Sequence, residues 1–194
     1  MRKKFMALCL ALIAFVSCDS LQKGLTSSYN MIHCDYSYQS ISNLSLSGMD
    51  LSNGLSLASI PKVTSILAGT ATSIPLDFVL NLNVKNPNQS EAMLHGLQYI
   101  ISIDDIQFTT GSLNQTLQVG AGQSRTLPLA IGFDLVTLMK NNSKEAITGI
   151  AKNFIGIGTE KSNVTVQLKP TFMIGDVPVT SPVYIPVHFS IGGK

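Results

Sequence analysis

Between Leu76 and Val84 every second residue is apolar: Leu76, Phe78, Leu80, Leu82 and Val84 fall on one side, and Asp77, Asn81, Asn83 and Lys85 on the other. Successive side chains of a strand point to opposite faces, so this period of two predicts a half-buried β-strand. The run stops at Asn86-Pro87-Asn88. Proline lacks the donor a ladder needs and pushes its neighbour into extended or turn geometry.

The same alternation recurs along the chain. Ile32, Cys34, Tyr36 and Tyr38, then Leu44 and Leu46, predict one or two strands from Met31 onward. Leu97, Tyr99, Ile101 and Ile103 run to Asp104-Asp105 and resume at Ile106 and Phe108, the pattern of a hairpin whose return strand is broken at Gly111. Leu117 and Val119 lead into a Gly120-Ala121-Gly122 turn, and Leu127, Leu129, Ile131, Phe133 and Leu135 mark another strand. Two strands are expected to finish the chain. Val164, Val166 and Leu168 mark the first, and Val183, Ile185, Val187 and Phe189 the second, whose Pro182 and Pro186 put it at a sheet edge or against a bulge. Helical spacing is confined to two places. Ser59 to Gly69 reads as a short helix with Val63, Ile66 and Leu67 on one face. Leu135 to Ile157 reads as a longer one, capped by Asp134, interrupted at Asn141-Asn142 and ended by Gly156 and Gly158. Seven or so antiparallel strands with one helical insertion predict a mainly β protein, an antiparallel β-sandwich over residues 31–194.

The amino end follows a different rule. Arg2, Lys3 and Lys4 precede an apolar run from Phe5 to Val16, then small Ser17 and Cys18. That order is one of targeting and processing. Its 12 residues fall well short of the roughly 20 that span a bilayer as a helix. Phe15-Val16-Ser17-Cys18 resembles a bacterial lipobox, with Phe where the commonest form has Leu, which implies a signal peptide over 1–17 and lipidation of Cys18 after cleavage. Polar, aperiodic Asp19 to Ser28 then reads as part of a flexible tether, residues 18–30. The expected location is the bacterial cell envelope, with the membrane as partner through the lipid; inner and outer membrane both stay open. Taking Arg2, Lys3 and Lys4 from the 13 basic residues leaves 10 against 11 acids, so no basic stripe speaks for nucleic acid. Cys9 would be discarded and Cys18 acylated, leaving Cys34 as a buried inert thiol or a partner for a second chain.

Leu80-Asn81-Leu82-Asn83-Val84-Lys85-Asn86-Pro87-Asn88, then Leu97-Gln98-Tyr99, Gly111, Leu127-Pro128-Leu129 and Asp134-Leu135, resemble the late-embryogenesis-abundant type-two, or WHy, domain over about residues 74–189. The resemblance implies an immunoglobulin- or fibronectin-like sandwich in which Asn86, Pro87 and Asn88 form a structural turn. It also implies a protective role under dehydration or envelope stress. The segment from Ser40 to Thr70 has no counterpart in that family.

Residue types that carry chemistry are scattered. His33, His95 and His188 fall on different predicted elements, and no His-x-His or Cys-x-x-Cys occurs, so no metal site and no cofactor is expected. Adjacent Asp104 and Asp105 suit a turn better than a proton-sharing pair. No Gly-x-Ser-x-Gly elbow is present, and hydrolysis would require His95 or His188 beside a Ser or Asp in a cleft. Gly156 and Gly158 lack the Lys-Ser/Thr that a phosphate loop needs. What remains is a surface: Tyr36, Tyr38 and Tyr184 as an aromatic patch for an envelope protein or the membrane interface. The expectation is a non-catalytic, lipid-anchored protein with a binding or structural role. The alternative is carriage of a lipid or small apolar ligand in a groove between the sandwich and the helix around Ile147 to Phe154.

Overall fold

The computed structural model describes residues 21–68 and 71–193. The signal-peptide reading, Cys18 and the Gly69 end of the first predicted helix lie outside the described residues. The described chain begins in a helix, α1, residues 21–32. Then come β1 (Asp35–Leu46), β2 (Met49–Asp50), α2 (Ile60–Ala68), β3 (Pro75–Lys85), β4 (Ala92–Leu94), β5 (Gly96–Ile103), β6 (Ile106–Leu113), β7 (Leu117–Val119) and β8 (Ser124–Asp134). The chain continues through α3 (Leu135–Met139), α4 (Lys144–Phe154), β9 (Lys161–Ile174), β10 (Val177–Thr180) and β11 (Ile185–Gly192).

The strands pair antiparallel in two main sheets, β2-β1-β3-β8 and β10-β9-β5-β6, with β11 also on β9 and a small β4-β7 ribbon apart. This is the mainly β antiparallel sandwich that the alternation predicts, with α3 and α4 inserted between β8 and β9. Strand β3 is its axis, flanked by β1 and β8 and held in unbroken register with β8 from Pro75 opposite Asp134 to Lys85 opposite Ser124. Its five alternating apolar side chains are at most 3 % exposed and join Leu127, Leu129 and Ile131 of β8 in one core with Leu97, Ile101 and Ile103 of β5 and Val164, Val166 and Leu168 of β9. Fully burying a side chain of this size stabilises by about 1.5–3 kcal/mol, so the central strands supply most of the driving force.

Two seams remain where the sheets meet, and aromatic residues close both. At the β1–β11 side Tyr38 stacks on Phe189 with ring centroids 4.6 Å apart. At the β6–β8 side the rings of Phe108 and Phe133 meet edge to face at 4.9 Å. Tyr99 crosses this second seam as well: its ring lies over Gly111, its cross-strand partner, and its hydroxyl donates to the Ala130 carbonyl of β8 at 2.7 Å. Gly111 therefore does not break the return strand; it lies inside β6 because any Cβ there would overlap the Tyr99 ring and hydroxyl.

The β5–β6 hairpin turns on Asp104 and Asp105 at φ 48° and 64°, the left-handed pair a two-residue hairpin requires and that Asp tolerates better than most residues. Asp104 also accepts from the Asn163 N–H at 2.8 Å through Oδ1 and donates its own N–H to the Asn163 carbonyl at 2.9 Å, tying the turn to β9.

Several expectations change. Residues 21–32 are helical rather than a flexible tether, so Ile32 belongs to α1 and the first strand begins only at Asp35. Three strands finish the chain instead of two, because β9 runs on to Ile174 and returns as β10, and Leu117 and Val119 form a short strand, β7, paired with β4, which the alternation does not mark. The last strand pairs with β9 without a register shift, so its proline marks an edge and not a bulge. Strands β8, β10 and β11, all at sheet edges, each carry one proline, Pro128, Pro178 and Pro186.

Gly111→Ala is expected to destabilise the fold by about 1–3 kcal/mol through overpacking, and Tyr99→Phe by about 1–2 kcal/mol through the lost hydrogen bond. Urea unfolding of each variant and of the double variant checks both; the two costs should fall short of additive, because both changes act on one ring.

Candidate functional site

Where β3 ends, Asn86 turns a side chain with no solvent exposure into the space below the strand, while Pro87 beside it stays exposed. A buried amide must find partners for two N–H groups and a carbonyl or lose a large part of its hydration free energy. Asn86 Nδ2 donates to the carbonyls of Ser90 and Val119, both at 2.9 Å, and of Gly120 at 3.2 Å. Its Oδ1 accepts from the Asn88 backbone N–H at 3.0 Å and from Asn88 Nδ2 at 2.8 Å. The Asn86 backbone N–H reaches the Gln123 carbonyl at 2.9 Å. One side chain thus ties the end of β3 to its own turn and to the end of β7.

The network extends to α1. Asn88 Nδ2 donates to the Asn30 carbonyl at 3.2 Å, and Asn30 Nδ2 donates to Ser90 Oγ at 2.8 Å and to the carbonyls of Glu91 at 2.9 Å and Ser90 at 3.2 Å. Asn30 falls within the expected tether, where its sequence neighbours give no sign of this role; with Asn86 and Asn88 it makes three side-chain amides joined in one structural knot. Among the described residues no buried side-chain nitrogen or oxygen lacks a partner, and the Asn86 amide spends both its donors and its acceptor inside the protein.

The opposite end of the β3–β8 pair is fixed by Asp134. Its Oδ1 caps α3 by accepting from the N–H groups of Val136 at 2.7 Å and Thr137 at 3.2 Å, and takes the Ile74 N–H at 3.4 Å, while Oδ2 accepts from the Ser73 hydroxyl. The Ser73 hydrogen bond, helped by the backbone N–H groups of Thr137, Ile74 and Val136, holds this carboxyl below its ordinary range. Ser143 caps α4 in turn, after a break at the expected Asn141-Asn142.

A groove of about 560 Å³ lies where the β1–β11 seam meets the end of α4, lined on its apolar side by Tyr38, Ile41, Leu44, Leu51, Phe154 and Ile191. Loop residues Ser52 and Gly54 complete its rim. It is open along its length, a trough and not an enclosed cavity.

The histidines stay apart in local roles. His33 stacks on Tyr29 at 4.0 Å and shares its Nδ1 with the Tyr29 carbonyl at 2.8 Å; His188 Nδ1 pairs with Thr165 Oγ1 at 3.1 Å. His95 sits in a shallow recess beside Ser90 and Glu91, but the Ser90 hydroxyl is already engaged by Asn30 and Glu91 by Gln118. Among the described residues no three His, Cys, Asp or Glu side chains converge as metal ligands would. The tyrosines do not act as one patch: Tyr36 is half-buried against the core with its hydroxyl on the Met31 carbonyl at 2.8 Å, Tyr38 seals a seam, and Tyr184 stands 41 % exposed under the Lys169 ammonium. Cys34 is buried at the bend between α1 and β1, and burial, followed by the neighbouring Asp35 charge, pushes its thiol up to about 11.

No protein-family model matches the chain, and no curated protein matches its sequence. Among solved structures it is similar to a protein from Archaeoglobus fulgidus at 19 % identity, over 66 % of this chain and 91 % of that one, with a TM-score of 0.38. It is similar to an Arabidopsis thaliana protein at 10 % identity, over 81 % and 80 % of the two chains, with a TM-score of 0.43. A chain named as a late embryogenesis abundant (LEA) protein gives 14 % identity, 95 % and 88 % coverage and a TM-score of 0.39.

Asn86→Ala and Asn86→Asp are both expected to cost about 3–5 kcal/mol, since each strands buried carbonyls and the second adds a charge with no donor to offer. Denaturant unfolding measures the loss. For Cys34, the fold favours the neutral thiol over the thiolate, so the contribution of this group is intact below pH 9, near the ordinary value of 9.0, and is lost as pH rises toward about 11. A thiol reagent at pH 8 should label Cys34 slowly in the native protein and at the rate of a free thiol in denaturant.

Proposed function

We propose that this chain is a lipid-anchored, non-catalytic protein of the bacterial envelope whose sandwich is of the late-embryogenesis-abundant type-two (WHy) kind and serves a structural, stress-protective role. The observation that carries the reading is the order Arg2-Lys3-Lys4, apolar Phe5 to Val16, Ser17 and Cys18 ahead of a folded β domain. A processed lipoprotein carries several acyl chains, and more than one chain gives stable attachment where a single one is marginal. The WHy assignment draws on the Asn86-Pro87-Asn88 turn closing a buried strand and on the pairing of Tyr99 with Gly111, both within the quoted resemblance. The non-catalytic reading draws on the local engagements of His33 and His188, which lie on different elements. Fold alone does not specify activity, and the protective role is the family's expectation carried to this chain.

The groove beside α4 favours a second reading, carriage of a small apolar ligand, because Tyr38, Ile41 and Phe154 offer side-chain surface along one open trough. A fluorescent fatty acid should bind the protein and lose most of its affinity in Ile41→Arg; absence of binding to the unaltered protein sets this reading aside.

Cys18→Ala should abolish acylation and move the protein from the membrane to the soluble fraction of the producing cell. Mass spectrometry of the purified amino-terminal peptide and fractionation check the two outcomes separately.

A further inference from the structure

Helix α1 is built inside out. Its inward face carries Gly24, Ser27, Ser28, Asn30 and Met31, whereas Leu21, Leu25 and Tyr29, spaced four apart on one stripe, are 41 %, 54 % and 60 % exposed. An amphipathic surface helix does the reverse. Apart from Met31 near its end, the inward residues are small or polar, and at Gly24 the helix is pressed on β9: a Cβ there would stand 2.9 Å from the Met173 carbonyl oxygen. Ser27 and Ser28 satisfy their hydroxyls on the Gly24 carbonyl at 3.1 and 2.7 Å, and Asn30 locks the far end into the Asn86 network. The helix is thus held rigidly with its apolar stripe turned away from the protein. Residues 21–32 contain Lys23 and no acid. Leu21 packs over Gly175 in the β9–β10 turn, and Val177 just beyond that turn is itself 61 % exposed.

We infer that Leu21, Leu25 and Tyr29 form a membrane-interfacial face that seats α1 at the headgroup–acyl boundary and fixes how the sandwich stands on the bilayer. The inference rests on the lipid-anchor reading, which places acyl chains on Cys18. Only Asp19 and Ser20 separate Cys18 from Leu21, three steps along the chain with a reach of at most about 10 Å even when extended, so the stripe cannot stand far from the surface the acyl chains enter. Interfacial helices sink their apolar face about 5–10 Å into that boundary, within reach of leucine and tyrosine side chains, with tyrosine suited to the wet edge of the layer. A flexible tether would leave orientation free; a docked helix does not.

The chain contains no tryptophan, so a single introduced one reports its own position. Leu25→Trp, and as a control Glu145→Trp on α4 at the other end of the strands, are produced as full-length protein in a lipoprotein-processing bacterium. Each is incorporated into phosphatidylethanolamine–phosphatidylglycerol vesicles with and without bromine on the acyl chains. The expected result is a blue shift and loss of most of the Leu25→Trp emission in brominated vesicles, with Glu145→Trp unchanged. A protein that carries acyl groups and floats with vesicles while Leu25→Trp stays unquenched overturns the inference and leaves the anchor standing. A protein without acyl groups whose Leu25→Trp is still quenched keeps the inference and removes the anchor. A blue shift that grows with protein concentration in the absence of vesicles assigns the stripe to a second copy of the chain and also overturns it.

Discussion

The buried amide of Asn86 is the constraint on which the rest of this sandwich depends. A strand ending inside a protein leaves loop carbonyls pointing at one another, and only a side chain with two donors and an acceptor can satisfy several of them from one position. Asn86 does this for Ser90, Val119 and Gly120 while orienting Asn88, which in turn receives α1 through Asn30. In a poorly polarisable interior such a network is strong when complete and costly when one member is missing. The turn, the small β4–β7 ribbon and the first helix therefore hold their places together.

Asp134 plays the matching role at the other end of the same strand pair. Where Asn86 uses donors, Asp134 uses a carboxylate: it gathers the first N–H groups of α3, the Ile74 N–H and the Ser73 hydroxyl, binding the start of β3 to the end of β8. Between these two polar clamps the strands run 11 residues each without a register shift, and their inward side chains need only be apolar and of suitable volume. The aromatic closures at the two seams, Tyr38 on Phe189 and Phe108 with Phe133, complete the enclosure sideways.

What could be read from the sequence follows from these physics. Strands β3, β5 and β8 are legible because each buries one face and exposes the other, and α3 and α4 because Asp134 announces the start of the helical region and Asn141-Asn142 its interruption. Helix α1 is not, since apart from Met31 its buried face is made of glycine, serine and asparagine, the residues that ordinarily signal a linker, and Leu21, Leu25 and Tyr29 point outward. Strand β10 escapes notice for a related reason: all four of its residues are exposed, so no inward face exists to set a period. Gly111 misleads because a glycine in a strand looks like a break until the ring that needs its space is known. The Asn-Pro-Asn turn was visible, but its third amide, Asn30, lies 56 residues earlier than Asn86 and joins it only through the fold.

The prolines of the outer strands carry one more consequence. Sheets with free edges can recruit another chain by backbone pairing. Pro128, Pro178 and Pro186 interrupt the donor rows of β8, β10 and β11, so a foreign strand laid along any of these three margins would find its hydrogen-bond ladder missing a rung. Contact between copies should thus leave these three borders unjoined.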